Sequence, residues 1–159
     1  MMKLKIVAST LSLIVCFTAC QSGGPSPKSL LDKADGDMAQ MKVLGDLTTL
    51  MQGTWRSDDD PKNELRIQGD KFISIYDGKE VANDRLIWHI DCPHDCTQGM
   101  EDVTEILCFK LENEQGASCF GLLNVSDKQM EYTSMPGTGK TLNYTKTGEI
   151  PKPTPPGQQ

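Results

Sequence analysis

From Gly53 onward, apolar and polar residues alternate along short segments that are separated by turn signals. A period of two places successive side chains on opposite faces of an extended strand. The pattern predicts eight strands: Gly53–Ser57, Asn63–Gln68, Lys71–Tyr76, Asp84–Asp91, Val103–Leu111, Ser118–Val125, Gln129–Ser134 and Lys140–Thr147. No helix long enough for a parallel crossover separates them, so we expect antiparallel neighbours. Eight such strands can close without an exposed edge, which predicts an all-β, eight-stranded up-and-down barrel.

One helix is predicted before the first strand. Apolar residues recur at three- and four-residue spacings between Leu30 and Met51, which is the period of one helix face. Asp37 is a candidate N-cap and Gly53 a candidate stop, so the helix is expected to run to about Gln52. We expect its apolar side to pack on the sheet.

The first predicted strand opens with Gly53-Thr54-Trp55, directly after the helix. These residues resemble the Gly-x-Trp motif at the first strand of lipocalin-like (calycin-type) barrels. The segment Gly53–Thr147 is similar to the small lipocalin-like lipoproteins of Bacteroidetes and their relatives. The resemblance implies that Trp55 closes one end of the barrel and that Gly53 allows close approach of the chain.

Residues 1–19 have the features of a secretory signal peptide. Two lysines precede the apolar run Ile6–Phe17, and small residues precede Cys20. The run is shorter than the roughly 20 residues that a membrane-spanning helix needs. Phe17-Thr18-Ala19-Cys20 resembles the bacterial lipobox, which implies cleavage before Cys20 and its acylation, as with palmitate. Since Gln21 follows, as in outer-membrane sorting of enteric bacteria, we expect a lipid-anchored envelope protein in the outer membrane, facing the periplasm or the surface.

The predicted folded domain lies between two segments that offer no apolar residues for a core. Residues 20–28 form a Gly/Ser/Pro-rich flexible tether, and residues 148–159 form a Pro-rich tail that is expected to be disordered. Folding is therefore expected within residues 29–147, a length that suits one domain with one core.

The charge balance argues against nucleic acid as a partner. The chain carries a formal net charge of −6, and removal of residues 1–19 would take away Lys3 and Lys5 and no acidic residue, leaving −8. The Lys and Arg residues form no cluster of the kind that phosphate-backbone binding requires. The expected partners are the bilayer, through acylated Cys20, and either a small apolar ligand or an envelope protein.

Four cysteines remain once Cys16 in the signal and the acylated Cys20 are set aside. They are Cys92, Cys96, Cys108 and Cys119. An even number in an oxidising compartment predicts two disulfides, for which three connectivities are possible.

The strand pattern favours one of these connectivities. Placing Cys108 opposite Cys119 on consecutive strands leaves both sulfurs on one face. The opposite, apolar face then holds Leu107, Phe109, Phe120 and Leu122. We therefore expect a Cys108–Cys119 bond and a Cys92–Cys96 bond that closes a short loop. In the alternative with reduced thiols, Cys92, Cys96 and His94, with His89 or Asp95, would supply metal ligands. An exported chain with this spacing favours the disulfide, so no metal is predicted.

No constellation of residues predicts a catalytic site. The sequence has only two histidines, no Gly-x-Ser-x-Gly elbow and no complete phosphate loop. Met135–Thr141 ends in Gly-Lys-Thr but lacks the first glycine of such a loop, which indicates a hairpin turn. The run Asp58–Asp60 lacks the ligand spacing of a calcium loop and indicates a solvated turn. We expect a protein that is not an enzyme and uses no cofactor.

The leading functional hypothesis is a barrel that binds a small, partly apolar ligand. Aromatic side chains with polar tips suit such a pocket. The residues expected to point inward are Trp55, Tyr76, Trp88, Met130, Tyr132, Leu142 and Tyr144. The candidate ligand contacts among them are Trp55, Trp88, Met130, Tyr132 and Tyr144.

Two alternatives stay open. In the first, the inward residues fill the core and leave no cavity, since small eight-stranded barrels are often plugged. The domain would then be a protein-interaction module, such as an envelope inhibitor of lysozyme or protease, or an accessory subunit of an envelope complex. A cavity of about 300 Å³ or more that reaches solvent beside Trp88 or Tyr144 would favour a ligand.

Overall fold

The computed structural model describes residues 24–100, 103–104, 106–136 and 139–149. Three helices occur in these residues: α1 (Pro27–Asp32), α2 (Asp37–Met51) and α3 (His94–Thr97). Helix α2 follows the predicted helix closely, but Gly36 is its N-cap and Asp37 its first residue. No helix in the described part of the chain is long and apolar enough to cross a bilayer.

Eight antiparallel strands form one closed barrel, as the alternation predicts. The strands are β1 (Gly53–Ser57), β2 (Asn63–Gln68), β3 (Lys71–Tyr76), β4 (Lys79–His89), β5 (Leu107–Asn113), β6 (Gly116–Val125), β7 (Gln129–Met135) and β8 (Thr141–Gly148). Each strand pairs with its neighbour in sequence, and β1 pairs with β8. The first three strands have the predicted bounds. Strand β4 begins earlier than predicted, directly after the Asp77-Gly78 turn, and β5 begins later.

The two helices before β1 close one end of the barrel. Leu47 and Met51 of α2 and Leu31 of α1 are buried in the same apolar cluster as the barrel interior. Trp55 is fully buried, and its Nε1 donates to the Met51 carbonyl at 2.8 Å. One turn earlier in α2, Thr48 Oγ1 accepts a hydrogen bond from Trp88 Nε1 at 2.8 Å. We call the end of the barrel that α1 and α2 cover the closed end.

Gly53 occupies a position at the closed end that only glycine fits. Its φ is +133°, a conformation that side chains rarely adopt. A Cβ there would lie 2.7 Å from the Gly148 carbonyl oxygen and 2.8 Å from Lys146 Cε. The end of β8 can therefore approach the start of β1 closely because Gly53 has no side chain, as the Gly-x-Trp resemblance implies.

The opposite end of the barrel has no helix across it among the described residues. Because the strands alternate in direction, this end carries the Asp77-Gly78 turn, the Glu114-Gln115 turn and the connections after β1 and β7. We call it the open end.

The two disulfides join Cys92 to Cys108 and Cys96 to Cys119. The four predicted cysteines are thus bonded, but the predicted pairing of Cys108 with Cys119 and of Cys92 with Cys96 is wrong. The β5–β6 turn has two residues, so Cys108 lies opposite Gly121 and Cys119 opposite Lys110. This register differs by two residues from the predicted one. A shift of two keeps every side chain on its face, so alternation alone does not distinguish the registers.

Several predictions fall on residues outside the described ranges. These are the signal peptide at residues 1–19, the acylation of Cys20, the first part of the tether and nearly all of the tail from residue 148.

Candidate functional site

The barrel interior contains a cavity of about 730 Å³ towards the open end. At its rim, Tyr76 and Val81 are 48% and 64% exposed, so the cavity opens to solvent. Its described lining residues are Asn63, Leu65, Phe72, Ser74, Tyr76, Val81, Asp84, Leu111, Asn113, Gln115, Gly116, Ala117, Ser118, Phe120, Tyr132, Leu142 and Tyr144. This volume lies within the range of small-molecule sites, about 300–1,000 Å³. The volume also exceeds the value of about 300 Å³ that favours a ligand, and Tyr144 lines the cavity. The exposed large hydrophobic residues at its rim are Tyr76 and Val81, rather than Trp88 or Tyr144.

An aromatic wall forms much of the inner surface. Phe72 lies edge-on to Tyr132 with ring centroids 6.2 Å apart, and Phe120 lies edge-on to Tyr132 at 5.7 Å. Tyr132 and Tyr144 are stacked at 5.6 Å with an interplanar angle of 5°. Inward residues of β3, β6, β7 and β8 thus bring four rings to one cavity, because paired residues of antiparallel strands share a face.

Two tyrosine hydroxyls in this wall are held in their neutral form. Burial raises the pKa of Tyr132 well above its ordinary value, and the adjoining Tyr144 raises it further. Burial also raises the pKa of Tyr144, although hydrogen bonds with Tyr132 and Asn63 offset part of the effect. Both hydroxyls are therefore protonated at neutral pH.

Polar side chains lie towards the rim. Asp84 of β4 faces inward beside Phe72, its partner on β3. Asn113, at the end of β5, donates from Nδ2 to Asp84 Oδ1 at 2.5 Å. Ser74 and Ser118 supply hydroxyl groups on either side. The cavity therefore has an apolar, aromatic interior and a polar rim that includes one carboxylate.

The five residues predicted to contact a ligand lie at different depths in the barrel, and two of them line the cavity. Tyr132 and Tyr144 line the cavity. Trp55 and Trp88 point inward but belong to the closed end, where each donates to a residue of α2. Met130 is fully buried in the core and does not line this cavity.

Of the other two inward predictions, Leu142 lines the cavity and so does Tyr76, at the rim. The inward face of β3 is Phe72, Ser74 and Tyr76, since Phe72 belongs to the core.

Sequence reasoning missed the polar lining residues. Asp84 lies four residues before Trp88 on β4, so strict alternation puts the two on the same face, and Trp88 is predicted to point inward. Extending that alternation would have placed Asp84 inside the barrel. Asn113 and Ser118 likewise continue the inward faces of β5 and β6. A charged or amide residue at the end of a strand's inward face therefore predicts a polar residue at the rim of the cavity.

The loop with the cysteines lies outside the barrel rather than in the cavity. Helix α3 is held on the outer face by the Cys96–Cys119 bond and by an ion pair of 2.8 Å between Lys110 Nζ and Asp95. Hydrogen bonding from Lys110 lowers the pKa of Asp95. Asp95, Cys96 and Cys119 lie within metal-ligand distance of one another. Their sulfurs are bonded to each other, so they offer no thiolate to an ion.

Two motifs considered in the sequence meet at the open end. Lys140, from the Gly-Lys-Thr segment, forms an ion pair of 2.6 Å with Asp59 of the acidic run. Asp58 accepts a hydrogen bond from Thr145 Oγ1 at 2.8 Å. The described residues of both segments thus lie at connections between strands at the open end.

No family model, curated protein or solved structure matches this chain.

Proposed function

We propose that this protein binds a small, partly apolar ligand inside its barrel, is not an enzyme, and is held at the cell envelope by an acylated Cys20. The single observation that carries the binding proposal is the cavity of about 730 Å³, whose lining includes five aromatic side chains: Phe72, Tyr76, Phe120, Tyr132 and Tyr144. A barrel whose interior served only as a core would be filled at normal packing density.

The orientation of the aromatic side chains supports the same proposal. Phe72, Tyr132 and Tyr144 face the cavity, and they are nearly or fully buried. Burying the apolar part of a ligand against them contributes about 25 cal/mol for each Å² removed from water.

The test is to fill the cavity and measure ligand binding. Ser74 is half-buried and lines the cavity, so Ser74→Phe projects a ring into the space that a ligand would occupy. Asn124→Phe adds the same bulk at an exposed position of β6 and is the matched control. Binding is measured by titrating a fluorescent apolar probe into the folded domain.

We expect Ser74→Phe to weaken probe binding at least about ten-fold and Asn124→Phe to leave it unchanged. Native mass spectrometry of the domain purified from its own host provides a second measurement, in which retained small-molecule mass is expected. Equal probe binding by both variants, or repeated co-purification of one protein without any small molecule, would contradict the proposal.

A further inference from the structure

The described residues that line the cavity carry negative charge and no positive charge. Of the described residues that line it, only Asp84 is charged, and none is Lys, Arg or His. A carboxylate beside low-dielectric walls interacts with a charged ligand more strongly than one surrounded by water. The sign of the ligand's charge therefore matters at this position.

No cation of the described chain neutralises Asp84. Its side-chain hydrogen-bond partner is the neutral amide of Asn113. The adjacent Arg85 lies on the other face of β4 and pairs with Glu112 at 3.2 Å. Lys79, opposite Tyr76, is exposed and outside the lining.

Two further lysines at the open end form ion pairs with residues that do not line the cavity. Lys62 forms an ion pair of 3.6 Å with Asp77, and Lys140 forms one of 2.6 Å with Asp59. The cavity thus presents a carboxylate without a protein counter-charge, next to rings whose faces also attract cations.

We propose that the ligand is a cationic amphiphile, an amine whose ammonium group contacts Asp84 and whose apolar body lies against Phe72, Phe120 and Tyr132. This inference rests on the proposed binding function and specifies the ligand class. Fatty acids and other anionic amphiphiles are disfavoured, because their carboxylate would meet Asp84 with no lining cation to offset the repulsion.

Three probes that differ only in their head group test the inference. Decylamine, decanol and decanoate are compared at neutral pH by displacement of the fluorescent apolar probe from the folded domain. Asp84→Asn removes the charge and keeps the shape. Asp127→Asn removes one charge at an exposed turn between β6 and β7, at the closed end, and controls for net charge.

We expect decylamine to bind about ten-fold more tightly than decanol, and decanoate to bind most weakly, since one charge-assisted contact corresponds to about this factor. Asp84→Asn should abolish the advantage of decylamine over decanol. Asp127→Asn should change neither.

The outcomes separate this inference from the function on which it rests. Decanol binding without any preference for the amine, or an amine preference that survives Asp84→Asn, would overturn the ligand class and leave the binding function standing. Failure of all three compounds to displace a bound probe would also overturn the ligand class, whereas absence of saturable probe binding to the folded domain would contradict the binding function itself. Circular dichroism of each variant shows that it is folded.

Discussion

At the scale of single residues, the pKa values of the tyrosines depend on how deeply each side chain is buried in the barrel. The chain has three tyrosines, of which Tyr132 and Tyr144 are nearly buried and Tyr76 is half exposed at the rim. The two buried hydroxyls hydrogen-bond to each other and both have raised pKa values. Their ionisation is therefore coupled to the folded state.

The first prediction concerns alkaline pH. Below a pH of about 10, these tyrosines are protonated in both the folded and unfolded states and contribute no pH dependence. Above it, the unfolded chain loses protons that the folded protein retains. The free energy of unfolding should therefore fall as pH rises through the folded-state pKa values. Tyr132→Phe should lessen this fall.

Absorbance of tyrosinate during a pH titration measures the effect directly. We expect the late-ionising part of the signal to shrink in Tyr132→Phe and to persist in the matched control Tyr76→Phe. Late ionisation of equal size in both variants would show that the interior does not hold Tyr132 neutral.

At the scale of elements, side-chain alternation specifies faces but not register or depth. It predicted the strands and the all-antiparallel barrel, because each strand buries one face. It did not predict the disulfide pairing, because shifting β5 against β6 by two residues preserves both faces. Alternation also does not show how far along the barrel axis a side chain lies. Trp55 and Trp88 are inward, but contact with α2 assigns them to the closed end.

The second prediction concerns the disulfide that holds α3 to β6. Cys96 and Cys119 are 23 residues apart in sequence, and closing a loop of roughly this length contributes about 3 kcal/mol in the chain-entropy estimate. Replacing both cysteines by alanine should lower the free energy of unfolding by about this amount and leave the strand content unchanged. Denaturant unfolding and circular dichroism measure the two quantities.

Peptide mapping of the oxidised protein is the accompanying check. Fragments that join Cys92 to Cys108 and Cys96 to Cys119 are expected. A fragment that joins Cys108 to Cys119 would contradict the register of β5 and β6.

At the scale of the whole molecule, helix and barrel share one apolar core. Leu31, Leu47 and Met51 lie in the same buried cluster as Trp55 and Leu107. The helices therefore complete the barrel rather than form a separate unit, and we expect them to unfold together with it.

The third prediction follows from this shared core. Leu47→Ala should lower the free energy of unfolding by about 2–5 kcal/mol, as expected for a buried leucine. Helical and tryptophan signals should still disappear in one common transition. Met41→Ala, at a helix position that is 70% exposed, is the control and should change stability by no more than about 0.5 kcal/mol. Loss of helix before the barrel would contradict a single cooperative unit.

The described chain enters and leaves the barrel on the side of the helices. Helix α1 packs at the closed end, and Gly148 lies beside Thr54 at the start of β1. A bead, a sensor chip or a fused fluorescent protein can therefore be joined before residue 24 or after residue 149 without covering the mouth of the cavity. The molecule is suited to immobilised measurements in which a compound arrives from the bulk liquid and meets an unobstructed entrance.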